Sequence, residues 1–78
     1  MSQLNVVWMG LDELEALRLC DLEGLEQEAA GQRMAVSRGT VQRLLKSARA
    51  KVARALVRNS ALVIEKGEHH AAMYPDAG

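Results

Sequence analysis

One stretch of the chain, residues 27–46, limits the possible folds more than any other. It holds two short apolar patterns of helical spacing, separated by about three residues. Ala30 and Met34 fall on one face of a first helix, and Val41 and Leu44 fall on one face of a second. Two such patterns so close together predict a helix-turn-helix, whose second helix would lie in the major groove of DNA.

Capping and small residues favour the same interpretation. Ser37 lies between the two patterns and is a good N-cap, because its hydroxyl can accept a hydrogen bond from a free amide of the next helix. Gly31 provides a small residue where the two helix backbones would approach each other. We therefore predict helices at residues 27–34 and 38–57, the second about 30 Å long at 1.5 Å per residue.

The remaining elements are predicted on either side of this unit. Segments 4–9 and 61–65 are β-prone, and Gly10 breaks the first of them. Because two lone strands are unstable apart, we expect them to pair, within one chain or between two. A first helix is expected at 11–22, ended by Gly24 in the left-handed conformation. The predicted fold class is mainly α: a tri-helical helix-turn-helix domain over residues 1–67, with a long third helix, short terminal β-strands and a disordered tail at 68–78.

Apolar residues occur on two sides of the first predicted helix. One side carries five leucines and the other carries Ala16, Leu19 and Cys20. One short helix packed against two others needs less apolar surface than this, so a second buried contact is expected, either with the terminal segments or with another subunit. We predict a homodimer formed through the first helix and the terminal strands. Trp8 is expected to pack beneath the strands.

Charge is divided sharply along the chain, although its formal net charge is zero. Residues 10–35 carry seven acidic and two basic side chains. Residues 36–58 carry no acidic side chain and seven basic ones, namely Arg38, Arg43, Lys46, Arg49, Lys51, Arg54 and Arg58. A helix that is charged only for solubility usually mixes both signs. The separation favours a polyanion as partner, attracted by the second block and oriented by the first.

Composition argues against several other functions. Trp8 and Tyr74 are the only aromatic residues, too few for the stacking surfaces that bind single-stranded nucleic acid. We predict a cytoplasmic location for three reasons: Cys20 has no partner for an intrachain disulfide, the sequence contains no long apolar run, and it has no recognisable signal peptide. No catalytic combination is present, and the adjacent His69 and His70 lack further ligands at metal-binding spacing. We expect no enzymatic activity, cofactor or metal.

Most of the chain, over residues 6–67, resembles a family of small prokaryotic proteins of unknown function. The resemblance rests on the segments LDELEALRLCDLEGL, QEAA, RMAVSRGTVQRLLKSARAKVARAL and ALVIEKG. Members carry a helix-turn-helix similar to region 4 of sigma-70-type sigma factors. The resemblance implies an all-α DNA-binding domain with a role in transcription, and brings no established target with it.

The chain departs from the pattern of that family in several places. Members usually have a longer N-terminal segment rich in basic residues. Ala35 stands at a turn position where Gly is usual, and a left-handed conformation there would cost about 1 kcal/mol. Gly31 stands where Ala is usual, at a similar cost in helix propensity. Glu26 and Gly10 replace the usual hydroxyl caps. Together these residues predict a less stable version that depends on its dimer.

Helix geometry predicts which side chains would meet DNA. Arg43 could pair bidentately with a guanine and Gln42 with an adenine, although phosphate or solvent contact of Arg43 also remains open. Hydroxyls at the helix N-terminus suit phosphate, and the cations one turn further on are expected to contact the backbone. The predicted DNA-binding residues are Ser37, Arg38, Gly39, Thr40, Gln42, Arg43, Lys46 and Arg49.

Three functions remain open at the level of sequence. The first is a sequence-specific DNA-binding transcriptional regulator that acts as a homodimer on double-stranded DNA. The second is a protein-interaction module that docks onto the transcription machinery or another regulator. The third is a structural dimer whose basic helix binds nucleic acid without sequence preference. Salt dependence separates the first from the second, and base preference separates the first from the third.

Overall fold

The computed structural model describes residues 5–65, which form a mainly helical unit of three helices and a two-stranded sheet. Strand β1 spans Val6–Gly10, helix α1 spans Leu11–Leu17 and continues into a π-helical turn at Arg18–Leu22. Helix α2 spans Gln27–Met34, helix α3 spans Arg38–Val57, and strand β2 spans Ala61–Glu65. The predicted tail and its two histidines lie outside the described residues. Within residues 5–65, no helix combines the length and the apolar composition needed to cross a bilayer.

The apolar core lies where the three helices meet. Its buried members come from all three and are Ala16, Leu19, Ala30, Met34, Val41 and Leu45. The residues predicted to fill the wedge between α2 and α3 therefore do so, with Leu44 only partly buried at its edge. Small alanines at two of these positions let the helix backbones approach closely. Of the two apolar sides of the first helix, one contributes the fully buried Ala16 and Leu19, and the leucine side contributes only the partly buried Leu17 and Leu25.

Local capping interactions define both ends of the first helix. Gly10 is its N-cap, and the Gly10 amide donates a 2.8 Å hydrogen bond to Glu13 Oε1. At the other end Gly24 adopts a left-handed φ of 82°, as predicted. A continuous α-helix to Leu22 was expected, but the last turn is π-helical, because the amide of Glu23 donates to the carbonyl of Arg18 five residues earlier.

Helix α3 runs uninterrupted for 20 residues over the range predicted from the sequence. It ends in a Schellman arrangement around Asn59, whose φ is 51°. The amide of Ser60 donates to the carbonyl of Ala55 at 2.8 Å, and the amide of Asn59 donates to the carbonyl of Leu56 at 3.4 Å. These bonds satisfy carbonyls that the helix end would otherwise leave free.

The two strands pair with each other within the chain, in parallel, with Val7 opposite Leu62 and Met9 opposite Ile64. The predicted strand at 4–9 is shifted, since Gly10 belongs to β1 instead of ending it. Val7 and Met9 are buried, so the alternation of a strand turns Trp8 to the opposite face. Trp8 is 55% exposed, and the expectation that it packs beneath the strands was wrong.

Candidate nucleic-acid interface

The turn between α2 and α3 is built from two unusual residues. Ala35 has a left-handed backbone, with φ 62° and ψ 40°. The amide of Val36 then donates a 2.9 Å hydrogen bond to the carbonyl of Gly31. A Cβ placed on Gly31 would lie only 2.8 Å from the carbonyl oxygen of Val36. The close approach predicted at Gly31 is therefore real, but it is to the turn backbone rather than to a second helix.

A hydroxyl pair organises the start of α3. The amide of Thr40 donates to Ser37 Oγ at 3.1 Å, which confirms Ser37 as the N-cap. Ser37 Oγ donates in turn to Thr40 Oγ1, and Arg43 Nη2 donates to the same oxygen, each at 3.1 Å. Thr40 itself is only 7% exposed. Its hydroxyl oxygen lies beneath the Arg43 guanidinium and accepts a hydrogen bond from it.

The other seven predicted DNA-binding residues are all exposed. Arg38, Gln42, Lys46 and Arg49 follow one another at intervals of four or three residues, so they form a single stripe along α3. Arg43 lies on the neighbouring flank, held to Thr40. The part of α3 from residue 38 to residue 49 thus presents four cations and one amide on its solvent side.

Two cations of the basic block are paired with acids of the first helical segment. Arg49 binds Asp21 through Nε at 2.9 Å and Nη2 at 2.6 Å. Lys51 Nζ lies 2.7 Å from Glu13 Oε1. The partners are 28 and 38 residues apart in the chain, so no local pattern predicted these pairs. The sequence-based assignment of Arg49 to phosphate overlooked its carboxylate partner.

Glu13 is the polar link between the first helix and α3. It is 7% exposed, and it accepts hydrogen bonds from the Gly10 amide, Ser47 Oγ and Lys51 Nζ. Burial by itself would raise the pKa of Glu13, but these hydrogen bonds, with that of Lys51 the strongest, outweigh it and lower the pKa. The carboxylate therefore stays charged and fixes α3 against the N-terminus of α1.

The carboxylates of Asp21 and Glu15 are kept in their charged form by neighbouring guanidinium groups. A side-chain hydrogen bond from Arg49 lowers the pKa of Asp21, and one from Arg18 lowers the pKa of Glu15. Arg18 also binds Glu23, across the π-helical turn. Among residues 5–65 no three His, Cys, Asp or Glu side chains are grouped as metal ligands would be. Burial raises the pKa of Cys20, which keeps its thiol protonated.

A family model described as "Protein of unknown function DUF134" matches residues 1–72. The chain belongs to the DUF134 family. Its relatives include the UPF0251 protein TK0562 of Thermococcus kodakarensis, 61% identical over 61 residues, which cover 78% of this chain and 54% of the relative.

Two further relatives of this DUF134 chain are bacterial. A UPF0251 protein of Desulforudis audaxviator is 55% identical over 64 residues, covering 82% of this chain and 42% of the relative. A UPF0251 protein of Pelotomaculum thermopropionicum is 49% identical over 74 residues, which cover 95% of this chain and 56% of the relative. The chain spans about half the length of the curated relatives it matches. No solved structure matches the chain significantly.

Proposed function

We propose that this DUF134 chain is a sequence-specific DNA-binding protein that regulates transcription in the cytoplasm as a homodimer, without catalytic activity. In this proposal α2 and α3 form a helix-turn-helix similar to region 4 of sigma-70-type factors, and the first half of α3 enters the major groove. The observation that carries the proposal is the exposed stripe of Arg38, Gln42 and Lys46 at the start of an acid-free helix. It follows directly on the left-handed turn at Ala35.

The distribution of charge gives the binding a direction. The basic residues of the chain between 36 and 58 lie on α3 and at its end, whereas seven of the ten acids lie between residues 12 and 28. A duplex would be attracted to the cations of α3 and repelled by the acidic residues between 12 and 28. The favoured orientation therefore presents the start of α3 to the DNA.

Individual side chains then have distinct roles. Arg43, positioned by Thr40, reads a guanine edge, and Gln42 reads an adenine edge. Arg38 and Lys46 bind phosphates on either side of them. The Ser37 hydroxyl caps the helix, and the N-terminal amides of α3 face a phosphate.

Selection of duplex sites from a random library at moderate salt tests the proposal. The Arg43→Ala variant is compared with Arg33→Ala, which removes the same charge from α2 on the side near Glu15. We expect an enriched motif that Arg43→Ala loses at one position, at a cost of about 1–3 kcal/mol, and that Arg33→Ala retains.

Other outcomes point elsewhere. Salt-sensitive binding without any enriched motif would overturn sequence specificity and leave a non-specific binder. An absence of binding to every duplex would overturn DNA binding and favour the second function, a module that docks onto the transcription machinery or another regulator.

A further inference from the structure

Two arginine side chains near the end of α3 take part in none of the contacts described so far. Arg54 lies in the last turn of the helix and Arg58 is its C-cap, and both are exposed. The DNA-binding residues predicted from the sequence include neither of them. Within residues 5–65, neither forms an ion pair with a carboxylate. Their charge is therefore available to a bound partner.

The cations in the middle of α3 already have internal partners. Arg49 is bound to Asp21 and Lys51 is bound to Glu13, with bonds of 2.6–2.9 Å. The two carboxylates neutralise this part of the basic block. Within the described residues, cations of α3 and its C-cap without a carboxylate partner therefore lie only before residue 49 and after residue 51.

Helical spacing places Arg54 and Arg58 on the same flank of α3 as Arg43. Eleven residues separate Arg43 from Arg54, which is about three turns of an α-helix, and Arg58 follows one turn later. Arg43 is the residue proposed above to read a guanine edge. The two arginines therefore lie about 16 and 22 Å further along the flank that Arg43 turns towards the duplex.

We propose that Arg54 and Arg58 form a second phosphate-binding site, which holds the DNA backbone while the start of α3 lies in the major groove. The proposal rests on the proposed function and adds to it a contact surface at the far end of the helix. The major groove is about 12 Å wide and curves around the duplex, so a rigid helix of about 30 Å cannot follow it over its whole length. The C-terminal half of α3 then runs beside a phosphate backbone, out of reach of the base edges.

The guanidinium groups of these two residues suit such a contact. Each presents a planar pair of N–H donors that matches two phosphate oxygens, and each stays charged at neutral pH. Residues one helical turn apart are neighbours on the helix surface, so Arg54 and Arg58 can bind one phosphate together or two adjacent phosphates. Phosphate contacts carry no base preference. They add affinity and fix the direction of α3 in the groove.

Stabilisation of the helix end is the competing explanation for these charges. A cation near the C-terminus of a helix interacts favourably with the macrodipole, and this interaction needs no DNA. It predicts a lower melting temperature when either arginine is replaced, without a change in DNA binding. It does not require the two cations to share a flank with Arg43, and that shared flank favours the duplex as their partner.

Binding of duplex DNA by the native chain, Arg54→Gln and Arg58→Gln over about 50 to 200 mM salt tests the site. We expect the slope of log K against log salt to become shallower by about 0.9 in each variant, so that the affinity lost over this range is about 3.5-fold smaller than in the native chain. The motif selected from a random library should be unchanged. Arg33→Gln on α2 is the matched control and should keep the native slope. Because both side chains are exposed, the variants should fold, which circular dichroism checks.

The outcomes separate this site from the proposed function. A native slope in either variant, or an equal change in Arg33→Gln, overturns the two-arginine site even if a motif is enriched, and leaves helix stabilisation or an acidic protein surface as its role. Loss of preference at one base position in either variant also overturns it, because that residue would then read a base. Shallower slopes without any enriched motif support the site and overturn only sequence specificity. A native chain that binds no duplex overturns both proposals.

Discussion

Arg49 and Asp21 form a bidentate ion pair that joins α3 to the π-helical turn, with both bonds between 2.6 and 2.9 Å. A planar guanidinium binds a carboxylate and a phosphate with the same pair of donors. Asp21 therefore occupies the part of Arg49 that a DNA phosphate would need. Any contact between Arg49 and DNA competes with this internal partner.

Replacing Asp21 tests that competition. In Asp21→Asn, we expect tighter DNA binding at low salt and a steeper salt dependence, with the slope of log K against log salt changed by about −0.9 for one added phosphate contact. Filter binding or anisotropy across a salt series measures it. Glu65→Gln, with the same charge change at the end of β2, should leave the slope at the native value. A common slope in both variants would show that Arg49 does not reach DNA.

Thr40 offers a second functional prediction. Because its buried hydroxyl holds Arg43, the near-isosteric Thr40→Val should relax base preference at the position that Arg43 reads, with little change in the salt slope. Competition between the selected site and a site altered at that position measures this. A uniform loss of affinity for all sequences, with a shallower slope, would instead mean that Thr40 contacts a phosphate.

Replacing alanine by glycine should change stability in opposite directions at the turn and within α3. Ala35→Gly removes a left-handed alanine and should raise the free energy of unfolding by about 1 kcal/mol, or the midpoint by about 4–8 °C. The same substitution at exposed Ala50, in the middle of α3, should lower it by about 1 kcal/mol. Thermal denaturation followed by circular dichroism measures both, and destabilisation of equal size in the two variants would contradict the strain at Ala35.

Gly31→Ala should destabilise the chain although alanine is the better helix former. The new Cβ would lie 2.8 Å from the Val36 carbonyl oxygen, so the turn backbone must move. In the double variant with Ala35→Gly the turn has more freedom to do so, and the loss should be smaller than the sum of the single effects. Strictly additive effects would show that the two positions act independently.

The contribution of Glu13 to the free energy of unfolding should depend on pH. Its pKa in the folded chain is lowered from the ordinary value of 4.5, so its contribution to stability is present above that value and is lost as the pH falls through the lower, folded pKa. Glu13→Gln should therefore cost about 1–2 kcal/mol at neutral pH and progressively less in acid. Urea denaturation at a series of pH values measures the difference, and a constant gap down to strongly acidic pH would contradict it.

The features that the sequence predicted correctly are local ones. The cap at Ser37, the left-handed residue Gly24, and the bounds of α2 and α3 all follow from signals within a few residues, whereas the left-handed turn at Ala35 was suggested only by the family resemblance. The parallel direction of the sheet and the outward face of Trp8 depend on which side of a strand meets the helices, and a short β-prone segment does not contain that information.

In the candidate site, too, local features could be predicted from the sequence and long-range contacts could not. The exposed stripe on α3 follows from helical spacing alone, whereas Asp21 at Arg49 and Glu13 at Lys51 depend on how α1 crosses α3. The sequence therefore indicated which cations could face a ligand, and only the packing of the helices showed which of them already hold a carboxylate.

The pairing of Val6 with Ala61 closes the chain into a loop that contains all three helices. Contacts so distant in sequence form late, because the entropy of loop closure is recovered only once the intervening segments are compact. We therefore expect the sheet to form only once the helices have assembled, so that a partly folded chain leaves it open. Trp8, the single tryptophan, sits in this closing strand, and its fluorescence would report the last step of folding.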